Sequence, residues 1–268
     1  PAATAAVALA RLGARVGLCA VVGDDDPGRR VREDLEREGV VLDWLTVGPG
    51  PTARSCVLVT AGTGRRAIAA QPAPAPDPAD VPLTAATWLH VDQTGARPVR
   101  RALAGRHDGP RLSVDGGNPL DPGDFADLAG VDVYAPSVLQ LCLRYGTPSV
   151  PVALSRAVAD GARWVVATDG DRGAHVRSAD VDEHVAAHRV DVTSTLGAGD
   201  VFHGALLAGL VAGAALPAAV RRASAAAALS CRGVDGRSAI PSAAELDAYL
   251  DRERPSAPAA VARRLECS

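Results

Sequence analysis

The chain has 268 residues, of which 47% are hydrophobic and 22% charged, and its formal net charge at pH 7 is −3. This length suits one large domain or a domain with a small appendage, and the charge gives no electrostatic basis for binding nucleic acid or an anionic membrane. No segment reaches the roughly 18 uncharged apolar residues that a membrane-spanning helix needs.

The counts of cysteine and lysine exclude further classes of functional site. The five cysteines are scattered and odd in number, which favours a reducing cytoplasm over a disulfide framework or a cysteine-based metal site. The chain contains no lysine, which excludes a Walker-type phosphate loop, a Schiff-base enzyme and a protein-kinase nucleotide site. It also lacks methionine and opens in the middle of a pattern, so we expect the N-terminus to be incomplete.

The first forty residues alternate between helix and strand. Apolar spacing predicts a helix over 1–13 that stops at Gly13, and then a short buried strand over 14–23. A polar amphipathic helix follows over 25–40, with Asp25 or Asp26 near its cap. This alternation is typical of an α/β fold with a parallel sheet.

The rhythm breaks between residues 41 and 70. Three short strands, separated by turns at 48–51 and 61–64, predict an antiparallel insertion into the α/β plan. The proline-rich segment 71–82 then predicts an extended return connection.

Alternation resumes after this connection. We expect strands over 87–92, 111–117, 131–137 and 163–170, with a helix in the arginine-rich segment between the first two. The segment 174–192 predicts a hairpin that covers one sheet edge. Three helices close the chain, over 198–212, 217–230 and 242–250, and Ser242 caps the last.

The stretch "STLGAGDVFHGALLAGL", residues 194–210, carries the strongest chemical signal. Gly197 and Gly199 allow a tight turn, and the helix that starts there offers unpaired N–H groups to an anion. A phosphate could rest on the amides of Ala198, Gly199 and Asp200, and Asp200 could take a proton from an attacking hydroxyl group. Spacing alone supports equally a first-turn acid that only favours the helix dipole. A dinucleotide fingerprint is rejected because Phe202 stands where it requires glycine.

Other polar residues close predicted strands. Asp92 and Asp115 (with Asn118 three residues on) end strands where a doubly wound sheet places ligands, although each could equally cap a loop. His90 and His203 are interpreted as packing or surface residues rather than ligands.

The 194–210 stretch resembles the C-terminal signature of the ribokinase-like, or PfkB, carbohydrate kinases, D-T-x-G-A-G-D-x-F-x-G-A. It matches at eight positions: Thr195, Gly197, Ala198, Gly199, Asp200, Phe202, Gly204 and Ala205. Residues 7–40 are similar to the family's first helix–strand–helix, 52–68 to its β-sheet lid, and 165–176 to its nucleotide strand.

The resemblance implies a three-layer α/β/α core over 1–40 and 71–268, with a lid over 41–70 that often forms a homodimer contact. It implies transfer of the ATP γ-phosphoryl group to a hydroxyl of a small sugar or nucleoside, with Mg²⁺ required. Asp200 is then the general base, and the 197–200 backbone the anion hole. Four residues are implied along the nucleotide: Thr168, Gly170, Gly173 and Gly233.

Four positions depart from the family pattern. Ser194 replaces an aspartate beside a monovalent-cation site, so we expect no strong K⁺ activation. Ser137 and Gln140 replace the Asn and Glu that support Mg²⁺ and phosphate, and could instead merely cap and face a helix. Thr4 replaces an asparagine that often binds the sugar.

These departures keep a second function open. A degenerate family member could bind nucleotide or sugar with little turnover, whereas the intact Asp200 and glycine turn favour a kinase. A purely structural α/β domain is a third, weaker reading.

Overall fold

The computed structural model describes residues 1–59, 66–106, 108–121 and 123–253. Helices and strands alternate through most of this range. The helices are α1 (Ala2–Arg11), α2 (Asp26–Arg37), α3 (Ala96–Leu103), α4 (Val138–Arg144), α5 (Val150–Ala159), α6 (Ala198–Val211), α7 (Leu216–Ser230) and α8 (Ala243–Glu253). The strands are β1 (Ala20–Gly23), β2 (Leu45–Gly48), β3 (Ser55–Val59), β4 (Arg66–Ala70), β5 (Trp88–Val91), β6 (Arg111–Gly116), β7 (Val133–Pro136), β8 (Trp164–Thr168), β9 (Ala174–Arg177) and β10 (Asp182–Val185).

A six-stranded sheet in the order β10-β9-β8-β7-β6-β5 forms the centre of the molecule. Strands β5 to β8 run parallel to one another, while β9 and β10 are antiparallel and close one edge, as the sequence predicts. The parallel strands therefore end at the same side of the sheet, and this side carries the polar residues that close them.

Two apolar cores lie on opposite faces of this sheet. Val133, Ala135 and Val166 face the core formed with α1, α2, α6, α7 and α8. The alternate residues Tyr134 and Val165 face the core formed with α3, α4 and α5. Because successive side chains of a strand point to opposite faces, one run of apolar residues serves both cores. The predicted three-layer α/β/α architecture is confirmed.

The antiparallel prediction for 41–70 is correct in one part and wrong in another. Strands β3 and β4 form an antiparallel hairpin, with Ser55 opposite Ala70. Strand β2, by contrast, is parallel to β1, with Ala20 opposite Leu45. The reason is that α2 connects β1 to β2 as a crossover, and a crossover returns the chain in the same direction. The turn expected at 61–64 lies outside the described residues.

Strands β1 and β5 border a common cleft, and each has a partner strand on only one of its two edges. Among the described strands, β1 pairs only with β2, and β5 only with β6. Residues of both strands, including Val21 and His90, line the space between them.

Two features at helix ends follow sequence expectations. The Asp25 carboxylate caps α2 by accepting a hydrogen bond from the Gly28 amide at 3.0 Å. Ser242 and Glu245 form a reciprocal capping box at the start of α8, because the Glu245 amide donates to Ser242 Oγ and the Ser242 amide donates to Glu245. Between β7 and β8, Ser137 caps α4, which was one of the two alternatives that the sequence left open for this residue, whereas α5 has no counterpart among the sequence predictions.

Candidate active site

A cleft of about 1600 Å³ opens at the carboxyl ends of β5 and β6 and at the start of α6. Its lining includes three carboxylates, Asp92, Asp115 and Asp200, and the glycine turn that contains Gly197 and Gly199. The fold thus brings together residues that lie more than 100 positions apart in the chain. This grouping is what the sequence argument about strand ends and the start of α6 requires.

The turn before α6 needs glycine at position 197. Gly197 has a φ of 74°, and a Cβ atom there would lie 2.8 Å from the Cα of Gly236. A side chain would therefore be strained in its own backbone and would collide with the loop after α7. The close contact fixes the turn against that loop and so fixes where α6 begins.

Gly199 differs from Gly197 because it faces open space. A Cβ atom added to Gly199 would meet no atom within 4 Å. The protein's own packing gives no reason for glycine here, whereas a ligand that approaches the first turn of α6 would. An α-helix leaves its first N–H groups without intrahelical partners, so this turn can hold an anion.

The amide of Ala198 is less available than its neighbours. It donates to the carbonyl oxygen of Thr195 at 3.4 Å, which closes the turn. Of the three amides named from the sequence, those of Gly199 and Asp200 are therefore the better donors to a ligand.

Burial controls the protonation of Asp200. The pKa of its carboxyl group is raised by burial and further by Asp115, while the positive charge of His203 opposes the rise. A carboxylate with a raised pKa is a stronger base than an ordinary aspartate.

Asp115 and His203 form a buried charged pair beside Asp200. The Nδ1 of His203 lies 3.2 Å from Oδ2 of Asp115, and neither side chain is more than 5% exposed. Although burial alone would lower the pKa of His203, the Asp115 carboxylate raises it overall. For Asp115 burial acts in the opposite direction, but the His203 imidazolium outweighs it and lowers the pKa.

His90 completes this group from β5. Its ring meets that of His203 edge-on with 5.5 Å between the centroids, and its Nδ1 lies 3.0 Å from Ser113 Oγ. Burial, followed by the neighbouring His203, lowers the pKa of His90 to about 4. The sequence interpretation of both histidines as packing or surface residues missed this cluster. The available signal was the three-residue spacing of Asp200 and His203, which places both on one face of α6.

Asp92 and Asp115 cap loops, which is one of the two roles that the sequence left open, and both also border the cleft. The Oδ1 of Asp92 accepts from the Thr94 amide at 2.9 Å, and the Oδ1 of Asp115 accepts from the Gly117 amide at 2.7 Å. Each therefore caps the loop after its strand while it also lines the cleft.

The four residues expected along the nucleotide lie in different settings. Thr168 lines the cleft at the end of β8. Gly170 and Gly173 lie in the β8–β9 turn, where a Cβ atom on Gly173 would come within 2.0 Å of the Val185 carbonyl oxygen. A Cβ atom on Gly233 would meet Ser238 Oγ at 2.6 Å. Local packing alone thus accounts for glycine at 173 and 233.

Three of the departing positions have local structural roles. Ser137 Oγ accepts from the Gln140 amide at 3.2 Å and so caps α4, while the Gln140 side chain borders a smaller pocket away from Asp200. Ser194 Oγ accepts from the Leu196 amide at 3.2 Å. Thr4 lies on α1 next to cleft-lining residues but not among them.

Comparisons with known proteins agree on one family. The family model described as pfkB family carbohydrate kinase matches residues 1–96 and 128–243. The chain is 29% identical to fructokinase of Klebsiella pneumoniae over 235 residues, which cover 78% of this chain and 76% of that protein. It is 28% identical to aminoimidazole riboside kinase of Salmonella typhimurium, over 91% of this chain and 85% of that protein.

A solved structure supports the same fold. The crystal structure of ribokinase from Thermotoga maritima superposes with a TM-score of 0.81 and 23% identity, over 93% of this chain and 86% of the other. None of the helices in the described part of the chain has the length and apolar character that crossing a membrane requires.

Proposed function

Since the chain belongs to the pfkB family of carbohydrate kinases, we propose that it transfers the γ-phosphoryl group of ATP to a hydroxyl group of a small sugar or nucleoside. The observation that carries this proposal is the position of Asp200. Its carboxylate lies in the cleft, at the first turn of a 14-residue helix, beside a glycine that faces open space. A base and an anion-binding turn thus share one place, as phosphoryl transfer requires.

In this mechanism Asp200 accepts the proton of the acceptor hydroxyl as its oxygen attacks the γ-phosphorus. The amides of Gly199 and Asp200 donate to the phosphoryl oxygens, on which negative charge gathers in the transition state. The positive end of the α6 dipole acts in the same direction. Catalysis then rests on positioning and charge stabilisation, without a covalent intermediate on the protein.

The remaining site residues receive proposed roles from the family pattern. Thr168, with Gly170, Gly173 and Gly233, lies along the nucleotide. Asp92 and Asp115 contact the acceptor, whose hydroxyl groups can donate hydrogen bonds to their carboxylates. Thr4 does not line the cleft, so it receives no acceptor contact.

Magnesium accompanies ATP in this proposal and neutralises charge on its phosphates. The first turn of α6 fits the phosphates, because Gly199 leaves room for them. Ser194 and Gln140 stand where the family has carboxylates, but Ser194 Oγ accepts from the Leu196 amide and the Gln140 side chain borders a different pocket. We therefore propose that the metal is held mainly through phosphate and water oxygens, and that K⁺ activates weakly.

The names of the two relatives support including both sugars and nucleosides among the candidate acceptors. One is a fructokinase and the other an aminoimidazole riboside kinase, so both a free sugar and a ribosyl compound belong in the search for the acceptor. The β3–β4 hairpin is the proposed lid, and its exposed Leu58 and Ile68 make it the proposed homodimer contact.

A second candidate function is nucleotide or sugar binding with little turnover. The observations that favour it are the local roles of Ser137 and Ser194, whose hydroxyl groups already serve a helix cap and a turn.

The deciding experiment measures ADP release from Mg·ATP with a panel of sugars and nucleosides. Acceptor-dependent ADP identifies the kinase and its substrate class. Asp200→Asn removes the base and should lower turnover by about 10²–10⁴-fold with nucleotide affinity retained. Asp191→Asn, at an exposed position outside the cleft, is the matched control and should leave turnover unchanged.

Two results oppose the proposal. Equal turnover in native protein and Asp200→Asn removes Asp200 as the base. Nucleotide binding without acceptor-dependent ADP, across the whole panel, supports the binding function instead.

A further inference from the structure

His90 and His203 have no role in the proposed phosphoryl transfer, and they form a cluster of three donor groups with Asp115, which is proposed above to contact the acceptor. One nitrogen of each imidazole and one oxygen of the carboxylate lie within 4.8 Å of one another. The three residues come from β5, β6 and α6, so the fold itself makes them converge.

We propose that His90, Asp115 and His203 form a binding site for a divalent transition metal ion of the zinc class. Two imidazoles with one carboxylate suit Zn²⁺, Co²⁺ or Ni²⁺, whereas Mg²⁺ prefers a shell of oxygen atoms. The site is therefore chemically distinct from that of Mg·ATP.

The hydrogen bonds around the cluster leave its donor atoms available. The Nδ1 of His203 is buried without an aligned hydrogen bond, although Asp115 Oδ2 is 3.2 Å away. The other oxygen of Asp115 is held by the Gly117 amide, which leaves Oδ2 directed at the cluster. A metal ion between the two groups would bind both Nδ1 of His203 and Oδ2 of Asp115 in place of their ion pair.

A neighbouring hydroxyl group orients the third ligand. Ser113 Oγ lies 3.0 Å from the Nδ1 of His90, on an adjacent strand, and Ser113 is itself buried. Metal-binding imidazoles are commonly fixed in this way through their second nitrogen, which sets the direction of the first.

The donor atoms of the cluster must move slightly closer together when a metal ion binds. In a tetrahedral zinc site with bonds of about 2.1 Å, neighbouring ligand atoms lie about 3.4 Å apart. The widest pair in the cluster must therefore close by at most about 1.4 Å, which side-chain rotation can supply. The metal takes the place of the proton on His203, which leaves to solvent.

The position in the cleft gives the site a consequence for catalysis. His90, Asp115 and His203 line the same cleft as Asp200, so a bound metal occupies space beside the base. Zn²⁺ should therefore inhibit at a fixed Mg·ATP concentration. This consequence rests on the proposed kinase function, whereas metal binding itself does not.

The test is titration of untagged native protein with Zn²⁺ in excess Mg²⁺, followed by calorimetry, with Co²⁺ absorption as a second signal. We expect one Zn²⁺ per chain and a ligand-field spectrum of four-coordinate cobalt. His90→Gln should weaken Zn²⁺ binding by at least about 100-fold, more than loss of an outer partner costs. His90 is the least buried of the three, so this variant should fold, and circular dichroism checks that it does.

His184→Gln is the matched control. His184 is exposed on β10, and its ring lies 4.8 Å from that of His175 between centroids. This variant therefore tests whether Zn²⁺ binds to the His175–His184 pair instead of the proposed site. Zn²⁺ binding should be unchanged in this variant. The proposal is overturned if native protein shows no saturable Zn²⁺ binding, if His90→Gln binds as tightly as native, or if His184→Gln abolishes binding. Because calorimetry needs no turnover, failure of the kinase proposal and failure of the metal site are distinguishable.

Discussion

The start of α6 and the β3–β4 hairpin represent two opposite ways of building a surface. At the start of α6, Gly197 touches the loop after α7 and Asp200 is drawn into a cleft that raises its pKa. On the hairpin, Leu58 and Ile68 are 63% and 53% exposed and keep their apolar side chains in water. In the first region, packing fixes the backbone geometry, and the buried carboxylate lowers the stability of the folded protein. Both properties are typical of a catalytic site. The second is typical of a surface that waits for a partner or a ligand.

The largest expected effect comes from removing the fixed geometry at position 197. Gly197→Ala places a Cβ atom on a backbone with a φ of 74° and 2.8 Å from Gly236. Because a displacement of about 1 Å can cost about 100-fold in rate, we expect kcat/KM to fall by that order. Gly213→Ala is the control, since it has a similar φ and open space but lies at the far end of α6. Equal losses in both variants would mean that backbone strain, and not the contact with Gly236, decides the outcome.

A smaller effect is expected at the neighbouring glycine. Gly199→Ala meets no protein atom within 4 Å, so its melting temperature should stay close to that of native protein. If phosphate approaches this turn, the added methyl group should lower kcat/KM for ATP by about tenfold, or about 1.4 kcal/mol. Thermal unfolding and steady-state kinetics on the same preparation separate the two effects. Unchanged kinetics would place the phosphate elsewhere.

The third prediction concerns the cost of holding Asp200 in the cleft. A carboxyl group with a raised pKa in the folded protein favours folding below its unfolded pKa of about 3.9 and opposes it as pH rises. Asp200→Asn removes this penalty, so the variant should melt above native protein at pH 7. The difference should shrink as the pH falls towards 4, which melting curves at several pH values would record. A variant less stable than native at pH 7 contradicts this account.

The smallest effect on stability is expected on the hairpin. Leu58→Ser and Ile68→Ser replace side chains that are already largely in water, so the free energy of unfolding should change by no more than about 0.5 kcal/mol. Leu112→Ala is the contrasting variant, because Leu112 is a buried residue of β6, and it should lower the free energy of unfolding by about 2–5 kcal/mol. Urea unfolding measures both. Sedimentation of the hairpin double variant tests the proposed homodimer, since a native dimer should become a monomer.

The sequence was sufficient where one residue pattern had one structural meaning. Alternating apolar strands and glycine-ended helices predict the sheet, the β9–β10 hairpin and the three closing helices. Ser137 and Gln140 indicate a helix, but the bounds of the seven-residue α4 could not be predicted because Leu139 and Leu143 are exposed, which blurs its amphipathic pattern. The parallel pairing of β1 with β2 could not be read from either strand, because a four-residue strand carries no signal for the direction of its partner.

The site was predictable in part for a similar reason. Asp200 belongs to a long motif, and Asp92 and Asp115 close strands, so local pattern was enough to single them out. The pairing of His203 with Asp115 depends on two residues 88 positions apart, and only the packing of α6 against the sheet brings them to 3.2 Å. Long-range contacts between polar residues leave no periodic trace in one sequence.

Among the described strands, β1 and β5 each have one edge without a partner strand, and this feature affects how the chain behaves when it is concentrated. An unpaired strand edge is a template for another strand, and proteins usually guard such edges with lysine, proline or other charged residues. The strands "AVVG" and "WLHV" contain none of these, and the chain has no lysine at all. Each of these strands has only four residues, however, and such short edges limit pairing between chains. A ligand that fills the cleft would cover residues of both strands and so suppress the pairing that remains at high concentration.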